Sequence, residues 1–181
     1  PYAWIAFDPA YELEKKFGVQ IKWKPFQLRI KGKGQRSVYS EFKVKYSYMD
    51  VRRNANLKDK NYMIRGPLKI YDTSPALIGG LFAEREGRLL DYCRLVFEQF
   101  FKRELEIDQI EAVSSLIEGL GMSSEAYLDY FDNEGAVEYE ACLEEAMEDQ
   151  VFGVPMFIFD GEQFWGHDRI WLIEKRLEQS I

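Results

Sequence analysis

The stretch "VFGVPMFIFDGEQFWGHDRI", residues 151–170, constrains the fold of this chain more than any other. Proline has no amide hydrogen to give to a sheet, so within sheets it sits at an edge, a first position or a bulge. Yet Pro155 stands at the head of Met156, Phe157, Ile158 and Phe159, an apolar run without polar interruption. Such a run predicts a strand that lies inside the protein. Asp160-Gly161 is a two-residue linker of the type that closes a tight hairpin, and "EQFW" is the returning strand, ended by Gly166. The segment then enters "HDRIWLIEKRLEQ", an amphipathic helix with Ile170, Ile173 and Leu177 as its stripe and Trp171 and Leu172 widening it. His167 or Asp168 is expected to cap this helix.

At the other end, "PYAWIAFDPAYELEKKFG" reads as a helix from its first residue, since proline is favoured at the first helical position. Gly18 stops it, and Pro9 is expected to kink or break it. In "VQIKWKPFQL" (19–28), Val19, Ile21 and Trp23 alternate with Gln20, Lys22 and Lys24, which predicts a strand ended by Pro25. A basic, glycine-rich loop, "RIKGKGQRS", precedes a helix from about Glu41 to Asn56 with aromatic and aliphatic groups on one face. From Ser74 to Gln150 the chain is helical and acidic. Stops and cap-like residues at Thr73-Ser74-Pro75, Gly87, Asp108, "GLGMSSE" and "DNEG" divide it into four or five short helices.

The order is helix, strand, helical block, strand, hairpin, strand, helix. With one strand ahead of Pro1, the ends assemble as βαβ…ββα, an α/β arrangement of the thioredoxin type with an all-helical insertion. The expected division is a discontinuous thioredoxin-like domain, 1–72 with 151–181, and a helical insertion domain, 73–150. In that fold a proline, cis about its peptide bond, begins the third strand and faces the start of the first helix.

With 181 residues, 46% of them hydrophobic, the chain can bury one sizeable core with a helical subdomain packed on it. A formal net charge of −7 argues against nucleic acid or an anionic membrane as partner, and no apolar run is long enough to cross a bilayer. Cys93 and Cys142 lie in separate helical patterns and form no CxxC, which suits small core residues and a reducing, cytoplasmic compartment. One histidine, His167, excludes a histidine-cluster metal site, and no metal is expected.

"PYAWIA", "KVKYSYMDVRR" and the C-terminal motif, with "GVP", "DG", "FWG" and "DR" in fixed order, together resemble a known family. It is that of the 2-hydroxychromene-2-carboxylate isomerases and the kappa-class glutathione transferases, which share a DsbA-like thioredoxin fold. The resemblance spans essentially the whole chain. It implies glutathione as cofactor and a serine, or in redox relatives a cysteine, immediately before the proline that is Pro1 here. This sequence does not contain that residue, so the catalytic group is unknown. Ala3 stands where a CxxC centre would need its second cysteine, which excludes dithiol–disulfide exchange. A serine at that helix start would hydrogen-bond the thiolate of bound glutathione, lower its pKa and leave a usable nucleophile.

The resemblance also implies the binding residues. The cysteinyl unit of glutathione would pair with the backbone of Val154, left free beside Pro155, as a short added strand. The γ-glutamyl end would reach His167 and Asp168 at the start of the last helix, with Asp168 accepting from the ammonium. Lys43, in a K-x-x-Y spacing with Tyr46, would take the glycyl carboxylate, with Gln35 a weaker match. Plainer roles stand beside these: a solvated basic face for Lys43, and a helix cap for His167 or Asp168. Tyr2 and Trp4 either line an aromatic substrate pocket or pack against the core, and Phe164 and Trp165 are core or pocket wall.

The implied reaction is isomerisation of an aromatic catabolite by transient thiolate addition, with the helical insertion forming an apolar slot for the ring. One alternative is a kappa-like glutathione transferase or peroxidase. Another is a DsbA-like binding or monothiol redox protein. The expected partner is a small aromatic substrate, and the family and the aromatic-rich helices are compatible with a homodimer.

Overall fold

The structure is a computed structural model that describes residues 1–28, 38–57 and 65–180. Helix α1 (Tyr2–Phe17) is followed by an irregular segment, α2 (Val38–Leu57), and five helices: α3 (Ser74–Arg85), α4 (Leu89–Lys102), α5 (Ile110–Gly119), α6 (Ser124–Asp132) and α7 (Glu134–Glu148). The hairpin β1 (Met156–Phe159) and β2 (Glu162–Trp165), a 3-10 turn η1 (His167–Arg169) and α8 (Ile170–Ser180) complete the order. The chain divides into two compact units. The first comprises Pro1–Trp23, Leu28–Asn61 and Val151–Ile181, and the second Lys24–Gln27 and Tyr62–Gln150.

In the first unit, β1 and β2 pair antiparallel, with Met156 opposite Trp165 and Phe159 opposite Glu162. Asp160 and Gly161 both have positive φ, 52° and 77°, as a turn that matches the twist of its two strands requires. The hairpin's inner face, α1 and α8 share a core of Leu13, Phe164, Ile173 and Leu177, edged by Phe17, Val19, Phe157, Phe159, Ile170 and Leu172. Each fully buried side chain of this kind is worth about 1.5–3 kcal/mol.

Five expectations change here. The segment 19–28 keeps its predicted alternation, with Val19, Ile21 and Trp23 half-buried between exposed neighbours, but it is not a strand. A strand needs a ladder, and the Ile21 amide is instead given to Glu14 Oε1 at 2.7 Å. The apolar strand β1 is half-buried rather than interior, with Ile158 exposed, because β2 is its one partner among the described residues. Helix α1 does not break at Pro9. Trp171 is 59% exposed, since it lies two residues from Ile173 and therefore about 160° round the helix from the buried stripe. Helix α2 likewise buries Val51 and Ala55 while Val44, Tyr46 and Met49 are exposed, a narrower apolar face than the sequence suggests.

The second unit is a helical bundle around α3. Tyr92 and Tyr127 are fully buried, and their hydroxyls donate to the carbonyls of Ala76 (2.8 Å) and Pro75 (3.0 Å) in the first turn of α3. This unit takes in more chain than the expected 73–150. Lys24 reaches Glu145 at 2.7 Å, the Arg65 amide donates to the Phe101 carbonyl, and the Arg103 guanidinium donates to the Gly66 carbonyl. Cys93 and Cys142 are buried free thiols in it, and burial pushes Cys93 up to about 12.

Candidate functional site

The candidate site lies in the first unit, where four pieces of chain meet: the approach to β1, the turn after β2, the start of α1 and the second half of α2. The Val154–Pro155 peptide is cis. The Pro155 carbonyl accepts from the Gly166 amide at 3.0 Å, so the hairpin ladder extends one step to the proline. There it stops. Among the described residues, neither the N–H nor the C=O of Val154 has a hydrogen-bond partner. An unpaired peptide group at the end of a paired strand is an edge at which a further peptide can add. Beside it, Trp165 is 52% exposed and packs edge-on against Phe152 with centroids 5.0 Å apart, while Phe164 belongs to the core.

After β2 the chain turns at Gly166 (φ 111°, ψ 151°) into η1. Neither His167 nor Asp168 stands immediately before α8, because both lie in the 3-10 turn that precedes it, and Arg169 is the residue next to the helix. No side chain makes the cap bond of η1 either. Asp168 is exposed. Its Oδ2 pairs with Arg169 at 2.6 Å, and Oδ1 folds back over Gly166.

His167 is half-buried and lies face to face with the Tyr2 ring, centroids 4.9 Å apart and planes 13° from parallel. The Tyr2 hydroxyl donates to Asp50 Oδ2 at 2.9 Å. Burial and the Asp50 carboxylate raise the Tyr2 phenol to about 12. Asp50 is steadied by Asn54, whose Nδ2 donates to its backbone carbonyl at 3.0 Å. Sequence reasoning missed Asp50. Its signal was the helical spacing, since Lys43, Ser47, Asp50 and Asn54 fall on one side of α2. Ser47 ties this stripe together by donating to the Lys43 carbonyl at 2.8 Å.

The structure thus brings Tyr2, Asp50 and His167 into contact and sets Pro155, Gly166 and Asp168 next to one another. Lys43 is exposed on α2, on the stripe that carries Asp50. Trp4 is 3% exposed and belongs to the core, so it presents little surface to a ligand. Gln35 lies outside the described residues.

A hairpin preceded by a cis-proline, packed on a first and a last helix and joined to a helical bundle, is the architecture of a DsbA-like thioredoxin fold. The chain belongs to the family of DSBA-like thioredoxin domains, which it matches over residues 1–178. Among curated proteins it is 26% identical to a 2-hydroxychromene-2-carboxylate isomerase of Pseudomonas putida, over 98% of this chain and 89% of that one. It is 25% identical to a protein of the same name from Pseudomonas sp. (strain C18), over 96% and 84%. A solved structure of a selenomethionine 2-hydroxychromene-2-carboxylate isomerase superposes with a TM-score of 0.80. It is 23% identical, with 99% of this chain and 90% of that one covered, a likeness of fold. The resemblance expected from "PYAWIA", "KVKYSYMDVRR" and the C-terminal motif is met. Among the described residues no helix is long and apolar enough to cross a membrane.

Proposed function

We propose that this protein is a glutathione-dependent isomerase of the 2-hydroxychromene-2-carboxylate isomerase type. The observation that carries the reading is the unpaired Val154 backbone beside a paired Pro155. Such an edge suits a short peptide and has no evident use for a ligand without peptide groups. The names of the relatives supply the reaction class.

The residues present fit a γ-glutamyl tripeptide at three points. Val154 offers one donor and one acceptor to its central residue. Asp168, exposed and facing the turn at Gly166, offers a carboxylate to its ammonium, with His167 alongside. Lys43 offers an ammonium to its glycyl carboxylate. Bound there, glutathione would supply a thiolate able to add to a conjugated carbon, so that a double bond becomes rotatable until elimination restores it. The protein's own part is to hold both ends of the peptide so that the sulfur is fixed in place, and so to reduce the entropy lost on reaching the reactive geometry. Tyr2 keeps its proton throughout the neutral range, so its hydroxyl stays a donor to Asp50.

Calorimetric titration of glutathione into the protein, paired with an absorbance assay of 2-hydroxychromene-2-carboxylate isomerisation, tests this. The expected result is saturable binding and turnover that requires the thiol. Turnover undiminished after exhaustive removal of thiols, or no binding at millimolar glutathione, would overturn it. Conjugation of model electrophiles in place of isomerisation would point to the transferase chemistry instead.

A further inference from the structure

We propose that Tyr2 is a positioning residue, one that fixes the His167 imidazole at the γ-glutamyl end of the ligand site. The inference rests on the glutathione reading above and deepens it.

Tyr2 is held at both ends. Its hydroxyl donates to Asp50 on α2, and its ring lies against His167 in the turn after the hairpin. Asn54 Nδ2 donates to the same Asp50 Oδ2, at 3.5 Å. A strong acceptor on the phenol oxygen sets the direction in which the ring points, because it restrains the first side-chain torsion, while the ring plane is set by the imidazole against its face. The nearly parallel contact then holds the His167 ring against a tyrosine ring whose position Asp50 fixes. Offset stacked pairs of this kind are favourable beyond the area they bury, which favours one ring orientation over others.

The link also joins three elements far apart in sequence: α1, α2 and η1. Lys43, proposed for one end of the tripeptide, shares its stripe on α2 with Asp50. His167 and Asp168 are proposed for the other end. Tyr2 therefore sets the span between the two clamps of a single extended ligand. A span fixed before binding costs the ligand less ordering free energy.

The chain has one histidine, so the ring protons of His167 give unique NMR resonances. In the native protein they are expected upfield, shielded by the Tyr2 ring. Tyr2→Leu should move them toward unshielded positions. Tyr2→Phe, which keeps the ring and frees it from Asp50, should leave a reduced shift, and it serves where the leucine variant fails to fold.

Three thiol probes separate positioning from general loosening. Tyr2→Leu should weaken glutathione and γ-glutamylcysteine alike, by about tenfold, the loss expected when one oriented polar contact is released. Cysteinylglycine, which lacks the γ-glutamyl group, should bind the variant as it binds the native protein. Equal losses for all three probes would make Tyr2 merely structural and overturn the proposal. So would His167 resonances unmoved by Tyr2→Leu. Should the native protein bind none of the probes, the glutathione reading fails and the proposal built on it falls too. The resonance shift distinguishes that case, because it reports the Tyr2–His167 contact without any ligand.

Discussion

The amide of Gly166 donates to the carbonyl of Pro155 at 3.0 Å, and this bond is the last pairing of the hairpin before the unpaired Val154. Gly166 can take that position because its φ of 111° and ψ of 151° lie in a region nearly closed to other residues. A side chain there would also meet Asp168 Oδ1 at 2.5 Å. Gly166→Ala is therefore expected to cost about 1–3 kcal/mol of stability, measured by urea unfolding. It should also displace the Asp168 carboxylate and weaken glutathione binding beyond what the lost stability explains. An alanine variant with native stability and affinity would show that neither the backbone strain nor the crowding is real.

A second glycine is fixed by close approach. A Cβ on Gly79 in α3 would fall on the Tyr92 hydroxyl oxygen and 2.9 Å from its Cζ. Both residues are buried, so the ring has no free space in which to retreat. Gly79→Ala is expected to destabilise the protein by about 1–3 kcal/mol through overpacking. Tyr92→Phe alone should cost about 1 kcal/mol, because its hydroxyl gives up a buried bond to the Ala76 carbonyl. In the double variant the alanine methyl occupies part of the vacated space. The two losses should then add to less than their sum, read as a coupling term in a double-mutant cycle. Strict additivity would mean that the methyl and the hydroxyl never competed.

What could be read from the sequence was local chemistry. Asp160-Gly161 announced the hairpin because its two positive φ values are a property of those two residues. Ser123 announced α6 because its hydroxyl oxygen accepts from the Ala126 amide, three residues on. What could not be read depended on distant partners. The alternation of Val19, Ile21 and Trp23 is present, yet whether it makes a strand is decided by a ladder elsewhere, and the Ile21 amide pairs with a carboxylate instead. The fold class was legible because hairpin, helices and their order survive such local errors. Of the residues named for the site, the structure places Pro155 and Asp168 on either side of Gly166, and ligand binding by them is the proposal. For Asp50 the helical spacing showed its place beside Lys43 on α2, but not its bond to a residue 48 positions away.

Alkaline pH should weaken the second unit, for a definite reason. Burial raises the Cys93 thiol from 9.0 to about 12, and burial raises the Tyr139 phenol from 10.0 to about 12. Between the unfolded and folded values, the unfolded chain has released these protons while the native one retains them. The unfolded state binds fewer protons there, so unfolding becomes easier as pH rises. The stabilisation is fully present below pH 9 and is expected to be lost progressively from about pH 9 to 12. Cys93→Ala should flatten the early part of that decline in the urea midpoint, whatever its effect at pH 7. A slope identical to that of the native protein would show that the thiol titrates normally in the fold.

Lys43 offers the sharpest division between a ligand clamp and a solvated charge. It is exposed on α2, two turns before Asp50 on the same side of the helix. An exposed ion pair contributes about 0.2–1 kcal/mol, so Lys43→Ala should weaken glutathione by a factor of about 1.4 to 5 at low ionic strength. The effect should shrink in salt, as it must for charges within reach of bulk screening. The decisive control is the dipeptide γ-glutamylcysteine, which lacks the glycyl carboxylate. If Lys43 holds that carboxylate, the alanine variant binds the dipeptide as well as the native protein does, while glutathione loses its advantage. If both ligands weaken together, the lysine acts only through the general field of α2. If neither weakens, it is a surface charge and another cation must take the glycyl end.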